Sequence, residues 1–245
     1  MKPYYDHAGI TIYHGDCREI LPALGECADV LVTDPPYGIG WTLPGYNGGR
    51  AHDGIANDDD LAARDWVLGA LSHLPQIVFG SPVAPLPKDV KQVLVWAKPD
   101  DAGIFGSIGG WRRDWEAIYL LGPWPPAPAQ RSAILKTKQG TATYLNGQHP
   151  HAKPVPLIRQ LIATAPPGMV VDPFMGSGTT LVAAKESGRQ AIGIEIEERY
   201  CEIAAKRLSQ EVLPFLEGAT CPGGPPHWAA GAPADSCPEC RKASP

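Results

Sequence analysis

Two stretches of this chain combine residue types that can do chemistry. In Asp34-Pro35-Pro36-Tyr37 a carboxylate, a backbone carbonyl and an aromatic ring follow one another, and two prolines restrict the turn that carries them. The carboxylate and the carbonyl can accept N–H protons, and the ring can stack on a planar group. In Phe174-x-Gly176-x-Gly178 two glycines sit where a ligand could approach the backbone at a helix N-terminus. Glu195 stands 17 residues beyond Gly178, where the next strand should end, and a carboxylate there suits a ribose with two free hydroxyls. The turn lacks the third glycine of a dinucleotide site and the lysine of a phosphate loop, so a nucleoside without a pyrophosphate fits better. The plain alternatives are a turn after a buried strand at Asp34 and a surface glutamate at Glu195. The order strand, turn, helix, strand, carboxylate favours the nucleoside site.

The elements that must position these residues read from the apolar pattern. Strands are predicted over residues 9–14, 28–33, 76–80, 92–98, 115–121, 169–171 and 190–196. Helices are predicted over 18–24, 61–74, 153–165, from the glycine turn to Lys185 with Gly188 as its stop, and over 197–210. Pro154 is placed in the first turn of its helix and Pro166-Pro167 at its end. Residues 28–33 are nearly all apolar, as a strand covered on both faces requires. Strands alternating with helices imply an α/β domain with a mostly parallel sheet. Residues 38–60 read as loop.

Composition narrows the function classes. The chain has 245 residues, and 44% are hydrophobic, enough for a core. Gly and Pro number 27 each, so part of the chain must be loop or tail. There is no apolar run long enough for a membrane span and no secretory leader, so a reduced, cytoplasmic chain is expected. The formal net charge of -5 rules out a globally basic molecule, so contact with nucleic acid needs a local basic surface. Residues 131–159 supply one: Arg131, Lys136, Lys138, Lys153 and Arg159, with no Asp or Glu among them. Gln139, Tyr144 and Asn146 lie within it and could read base edges. The alternative is a solvated loop.

The motifs together resemble a known family. Residues 170–208 are similar to the cofactor half of the amino-methylating DNA methyltransferases, and Asp34-Pro35-Pro36-Tyr37 resembles their catalytic tetrapeptide. Gly15-Asp16-Cys17 resembles the family's early acidic turn, and His149-Pro150-His151-Ala152-Lys153-Pro154 the segment before its cofactor loop. The catalytic motif precedes the cofactor loop, which resembles the β-type, circularly permuted order.

The resemblance implies a Rossmann-like fold, S-adenosyl-L-methionine as cofactor, and transfer of its methyl group to the exocyclic amine of adenine in DNA, the base being flipped out of the duplex. Asp34, Pro35, Pro36 and Tyr37 are then catalytic. Asp16, Cys17, Lys153, Asp172, Pro173, Phe174, Gly176, Ser177, Gly178, Thr179 and Glu195 are cofactor-binding. Asp16 could equally cap the helix that follows it, and Lys153 could be a solvated lysine at a helix end. Cytosine amine is the first rival substrate, and a non-catalytic DNA- or cofactor-binding remnant is the second. Carbon methylation would need a Pro-Cys dipeptide, which the chain lacks. The related glutamine methyltransferases usually carry Asn where Asp34 stands.

The domain is expected to span 1–218, with a short target-recognition insert at 122–148 and a flexible tail at 219–245. Cys221, His227, Cys237 and Cys240 make the tail a weak zinc candidate; reduced cysteines in a disordered tail are the favoured reading. Trp111, Trp115 and Trp124 are read as core or rim without a chemical role. A bacterial or phage source is expected, with no membrane partner. The resemblance leaves room for a homodimer and a cognate restriction nuclease.

Overall fold

The structure, a computed structural model, describes residues 1–40, 58–99, 108–128, 130–137 and 152–209. Nine strands form one sheet: β1 (Tyr5–His7), β2 (Ile10–His14), β3 (Val30–Thr33), β4 (Gln76–Gly80), β5 (Gln92–Ala97), β6 (Trp115–Leu121), β7 (Ile134–Lys136), β8 (Val170–Asp172) and β9 (Ala191–Glu195). Their order is β1-β2-β9-β8-β3-β4-β6-β5-β7. The five strands from β2 to β4 run parallel, as does the β5–β7 pair, while β1 and β6 run against their neighbours. This is the expected Rossmann-like, mostly parallel sheet.

Alternation along β3 shows how the layers form. Val30 and Val32 face one side, with α3 (Val155–Ile162), α4 (Thr179–Glu186) and α5 (Glu198–Ser209). Leu31 faces the other, with α1 (Cys17–Leu24) and α2 (Ala62–Ala70). All four β3 residues are buried, the signature of a strand covered on both faces.

Two strands escape the sequence reading. β1 is Tyr-Asp-His, too short and polar to register, and forms as an edge against β2. β7 lies in the segment read as an insert and is fixed by its parallel register on β5, with Leu135 buried beneath. The predicted helix at 61–74 ends early because residues 71–74 turn toward β4. Pro154 proves to be the N-cap of α3, with Pro156 inside its first turn, so Lys153 precedes the helix. Among the described residues no helix is long and apolar enough to cross a membrane.

Candidate active site

The tetrapeptide and the glycine turn leave adjacent strands at the same end of the sheet. β3 and β8 pair in parallel, with Leu31 opposite Val171. The chain runs from β3 toward β4 on one side and from β8 toward β9 on the other, so the two strands flank the switch point where open α/β sheets place their ligands. One buried bond ties the two loops: Thr33 Oγ1 donates to Asp172 Oδ1 at 2.7 Å. The Asp172 carboxyl also accepts from the Thr180 hydroxyl and from the Phe174 N–H, and burial pushes its pKa up to about 6. The sequence reading placed Asp172 among the cofactor contacts. In the structure its side chain is engaged inside the protein, as a strut between the catalytic strand and the glycine turn.

Asp34 is gripped from two sides. The Tyr37 hydroxyl donates to Oδ1 at 2.5 Å, and Lys153 Nζ donates to Oδ2 at 2.5 Å. Burial, then the nearby Asp34 charge, raises the Tyr37 phenol well above its usual pKa, so it stays a donor. The backbone of the turn is fixed as well, because Asp58 Oδ1 accepts from the N–H groups of Tyr37 (2.7 Å) and Gly38 (2.8 Å). The ring of Tyr37 was expected to act by stacking; the structure gives the hydroxyl a partner too.

Lys153 departs most from expectation. Its side chain is 5% exposed, so it is not a solvated lysine, and its partners are Asp34 and Glu116 rather than the glycine turn. Glu116 Oε2 lies 3.3 Å from Lys153 Nζ, and Glu116 Oε1 lies 2.7 Å from Lys98 Nζ. Burial alone would neutralise this lysine, but the carboxylates of Asp34 and Glu116 outweigh it and hold the ammonium above the usual lysine range. Glu116 is kept below the usual carboxylate range: burial opposes this, and Lys153 and Lys98 overcome it. Lys153 also lies 5.2 Å from the centre of the Phe79 ring. Glu116 and Lys98 were not singled out in the sequence, where each is one charged residue within a predicted strand.

Around the glycine turn the cofactor candidates converge. Glu195 closes β9; its Oε2 accepts from Gly176 N–H at 2.9 Å and its Oε1 from Glu197 N–H at 2.8 Å. Burial pushes its pKa up to about 7. Each oxygen of the ionised carboxylate keeps a lone pair, so two hydroxyls of a ribose can still be accepted. These residues therefore fit the nucleoside for which they were singled out. Gly15 N–H donates to Glu195 O at 2.9 Å, which brings Asp16 to the same rim. Asp16 caps α1, accepting from Arg18 N–H at 2.8 Å. The Cys17 thiol is buried, and burial pushes its pKa up to about 12, so what Cys17 offers a ligand is backbone.

The glycine at 178 has a packing reason beside any ligand. It caps α4 at a φ of 79°, and a Cβ there would meet Ala204 Cβ at 2.7 Å. Arg207 of α5 clamps the same turn, donating to Ser177 O at 2.6 Å, to Ser177 Oγ at 3.2 Å and to Thr179 Oγ1 at 3.3 Å. Arg207 was not among the site residues singled out in the sequence. Pro173 is buried beside Asp172, and Phe174 packs against the α1–α2 side of the core.

The basic stretch is visible in part. Arg131 and Lys136 are exposed, and Lys136 pairs in register with Ala97 at the end of the sheet that carries Asp34. Lys138, Gln139, Tyr144 and Asn146 lie outside the described residues. So do Cys221, His227, Cys237 and Cys240.

A Rossmann-like sheet, a glycine turn answered by a carboxylate, and an acceptor turn across the switch point define a nucleoside-cofactor transferase. Comparison with known proteins makes this specific. The family model described as DNA methylase (N6_N4_Mtase) matches residues 87–206. "Putative methylase YubD" of Escherichia coli (strain K12) is 31% identical over 232 residues, covering 84% of this chain and 92% of that protein. The crystal structure of the M1.HpyAVI–SAM complex superposes with a TM-score of 0.58 at 25% identity, covering 82% of this chain and all of that one. The cytosine-N4-specific PvuII DNA methyltransferase shares the fold, with a TM-score of 0.62 at 17% identity over 86% and 90% of the two chains. The chain belongs to the S-adenosylmethionine-dependent DNA methylases that modify the exocyclic amine of adenine or cytosine.

Proposed function

We propose that this chain methylates the exocyclic amine of adenine in a short DNA target, taking the base out of the duplex to reach Asp34. The observation that carries the reading is the Asp34 carboxylate, fixed between Tyr37 and Lys153 and joined through Thr33 and Asp172 to the glycine turn. An exocyclic amine is a poor nucleophile because its lone pair is conjugated with the ring. Asp34 and the Pro35 carbonyl accept its two N–H groups, drawing the nitrogen toward tetrahedral geometry. When bound, S-adenosylmethionine supplies a methyl group activated by its sulfonium. Positive charge developing on the amine is met by the Asp34 carboxylate. Lys153 cannot take the released proton because it is held charged. Asp34, with 26% of its side chain exposed, can pass that proton to water. Aspartate at the head of the tetrapeptide resembles the adenine enzymes more than the cytosine ones, which supports adenine.

Modified-base sequencing of plasmid DNA from a methylation-free host expressing the chain tests this. N6-methyladenine in a recurring motif is expected. N4-methylcytosine would move the substrate to the rival base, and no modified base beside well-folded protein would leave the remnant reading.

Binding to DNA should be carried partly by the basic edge. Replacing Lys136 and Lys138 with alanine should weaken binding to all sequences alike and flatten its salt dependence by up to about two charges. Titrations at several salt concentrations check it; an unchanged slope would place the phosphate contacts elsewhere.

Cofactor affinity should depend on pH through Glu195. Ionised Glu195 accepts ribose hydroxyls best, and its pKa is about 7, so affinity should rise from pH 5.5 to 8 and then level. Stability of the ligand-free protein should move the other way. A carboxyl whose folded pKa lies above its unfolded value stabilises the fold at low pH, and that contribution fades as pH climbs through about 7. Asp172, at about 6, adds the same sign. Calorimetry and melting curves across pH check both, and Glu195→Gln should flatten the affinity profile.

A further inference from the structure

A tight turn ahead of β6 carries exposed apolar side chains. Ile108 and Trp111 bridge across a two-residue turn, Ile108 N–H donating to Trp111 O at 3.2 Å and Trp111 N–H to Ile108 O at 3.0 Å. The turn residues Gly109 and Gly110 have φ of 57° and 83°, a double left-handed geometry that favours glycine. This turn holds two large apolar side chains out in solvent: Trp111 is 83% exposed and Ile108 73%. No other large hydrophobic residue described is as exposed as Trp111. Arg112 and Arg113 follow at once and are exposed, and Arg112 contacts Asp114 at 3.4 Å.

Position gives the tip a purpose. Trp111 precedes Glu116 by five residues, so its Cα lies within roughly 18 Å of the Glu116 Cα even if the chain is extended. Glu116 touches Lys153, which touches Asp34. The Glu116–Lys153–Asp34 chain adds roughly 10 Å, and nucleotides in one strand repeat about every 3.4 Å, so the tip falls within about eight steps of a base held at Asp34. Because β6 runs against β4, its start lies at the end of the sheet that carries Asp34, and exposed Lys136 lies at the same end, in one row with Trp115 and Ala97.

We infer that the Ile108–Trp111 turn is a DNA-binding wedge whose tryptophan stacks on bases beside the extruded nucleotide while Arg113 meets the neighbouring phosphate. The inference rests on the proposed reaction and adds a contact surface to it. Extrusion unstacks a base and leaves its neighbours without a partner, and an apolar side chain placed in that gap restores part of the lost stacking. Indole offers the largest face for this, and exposed Arg113 matches the polyanion that must lie alongside.

The test uses the full chain and a duplex carrying the motif found by sequencing, with 2-aminopurine at the target position to report extrusion. Trp111→Ala should weaken duplex binding by about tenfold or more and lower the 2-aminopurine signal, while S-adenosylmethionine affinity stays at the wild-type value. Trp111→Phe should recover most of the loss. Arg113→Ala should weaken binding and flatten the salt dependence by about one charge. Wild-type duplex affinity and 2-aminopurine response in Trp111→Ala would overturn the inference. So would a change confined to oligomeric state in light scattering, which would make the tip a contact between protein copies. Failure of the wild type to methylate DNA would overturn the functional reading itself, and this inference with it.

Discussion

Asp34→Ala should lower methyl transfer by on the order of 10³-fold or more while S-adenosylmethionine binds almost as before. The substitution removes the acceptor that localises the amine lone pair and the negative charge that meets the developing cation. It also leaves Lys153 and Lys98 sharing Glu116 as their one carboxylate, so the site would present a net positive charge to a nitrogen that is becoming positive. Cofactor binding should survive because the Glu195 carboxylate and its backbone donors lie on the other side of the Thr33–Asp172 bond. Asp34→Asn should also be severe, since its amide turns a donor toward the substrate amine. Single-turnover kinetics paired with calorimetry separates the two effects. Turnover near the wild-type rate in Asp34→Ala would remove the tetrapeptide from the chemistry.

Lys153→Met should destabilise the fold by about 3 kcal/mol. This is the lower end of what breaking a buried ion pair costs when its partners stay charged. The lower end applies because Asp34 keeps access to water and Glu116 keeps Lys98. The double variant with Glu116→Gln should be less destabilised than the sum of the two single changes, because the charge that Lys153 neutralised is then absent. Denaturant unfolding of the four proteins gives the coupling. A loss under about 1 kcal/mol in Lys153→Met would mean the ammonium is not buried among carboxylates in solution.

Much of this site was legible because its chemistry is local in sequence. Asp34 to Tyr37 is four residues long, and the glycine turn and Glu195 are separated by one helix whose length is set by the fold. Other parts were invisible because they depend on contacts between distant residues. Lys153 sits 119 residues from Asp34, and only the register of β3 against β8, with Pro154 capping the next helix, turns it inward. Glu116 and Lys98 meet it because β6 runs against β4, which brings the start of β6 to the end of β4. Trp111 was read as core or rim without a chemical role, and nothing in its spacing said that it faces water. Gly178 was read as making room for a ligand, and the structure adds Ala204 as the neighbour that excludes a side chain.

The pairing of β3 with β8 also sets a timetable for synthesis. Asp34 leaves the ribosome early, but the strand that flanks it does not begin until Val170. At 5–20 residues per second the delay is on the order of ten seconds. During that interval β3 and β4 can pair, yet the other edge of β3 stays open, with its valines uncovered on the α3–α5 side. A nascent chain in this state has the catalytic turn without the strand that positions it, so a truncated product would be inert as an enzyme and prone to pair with other open strands.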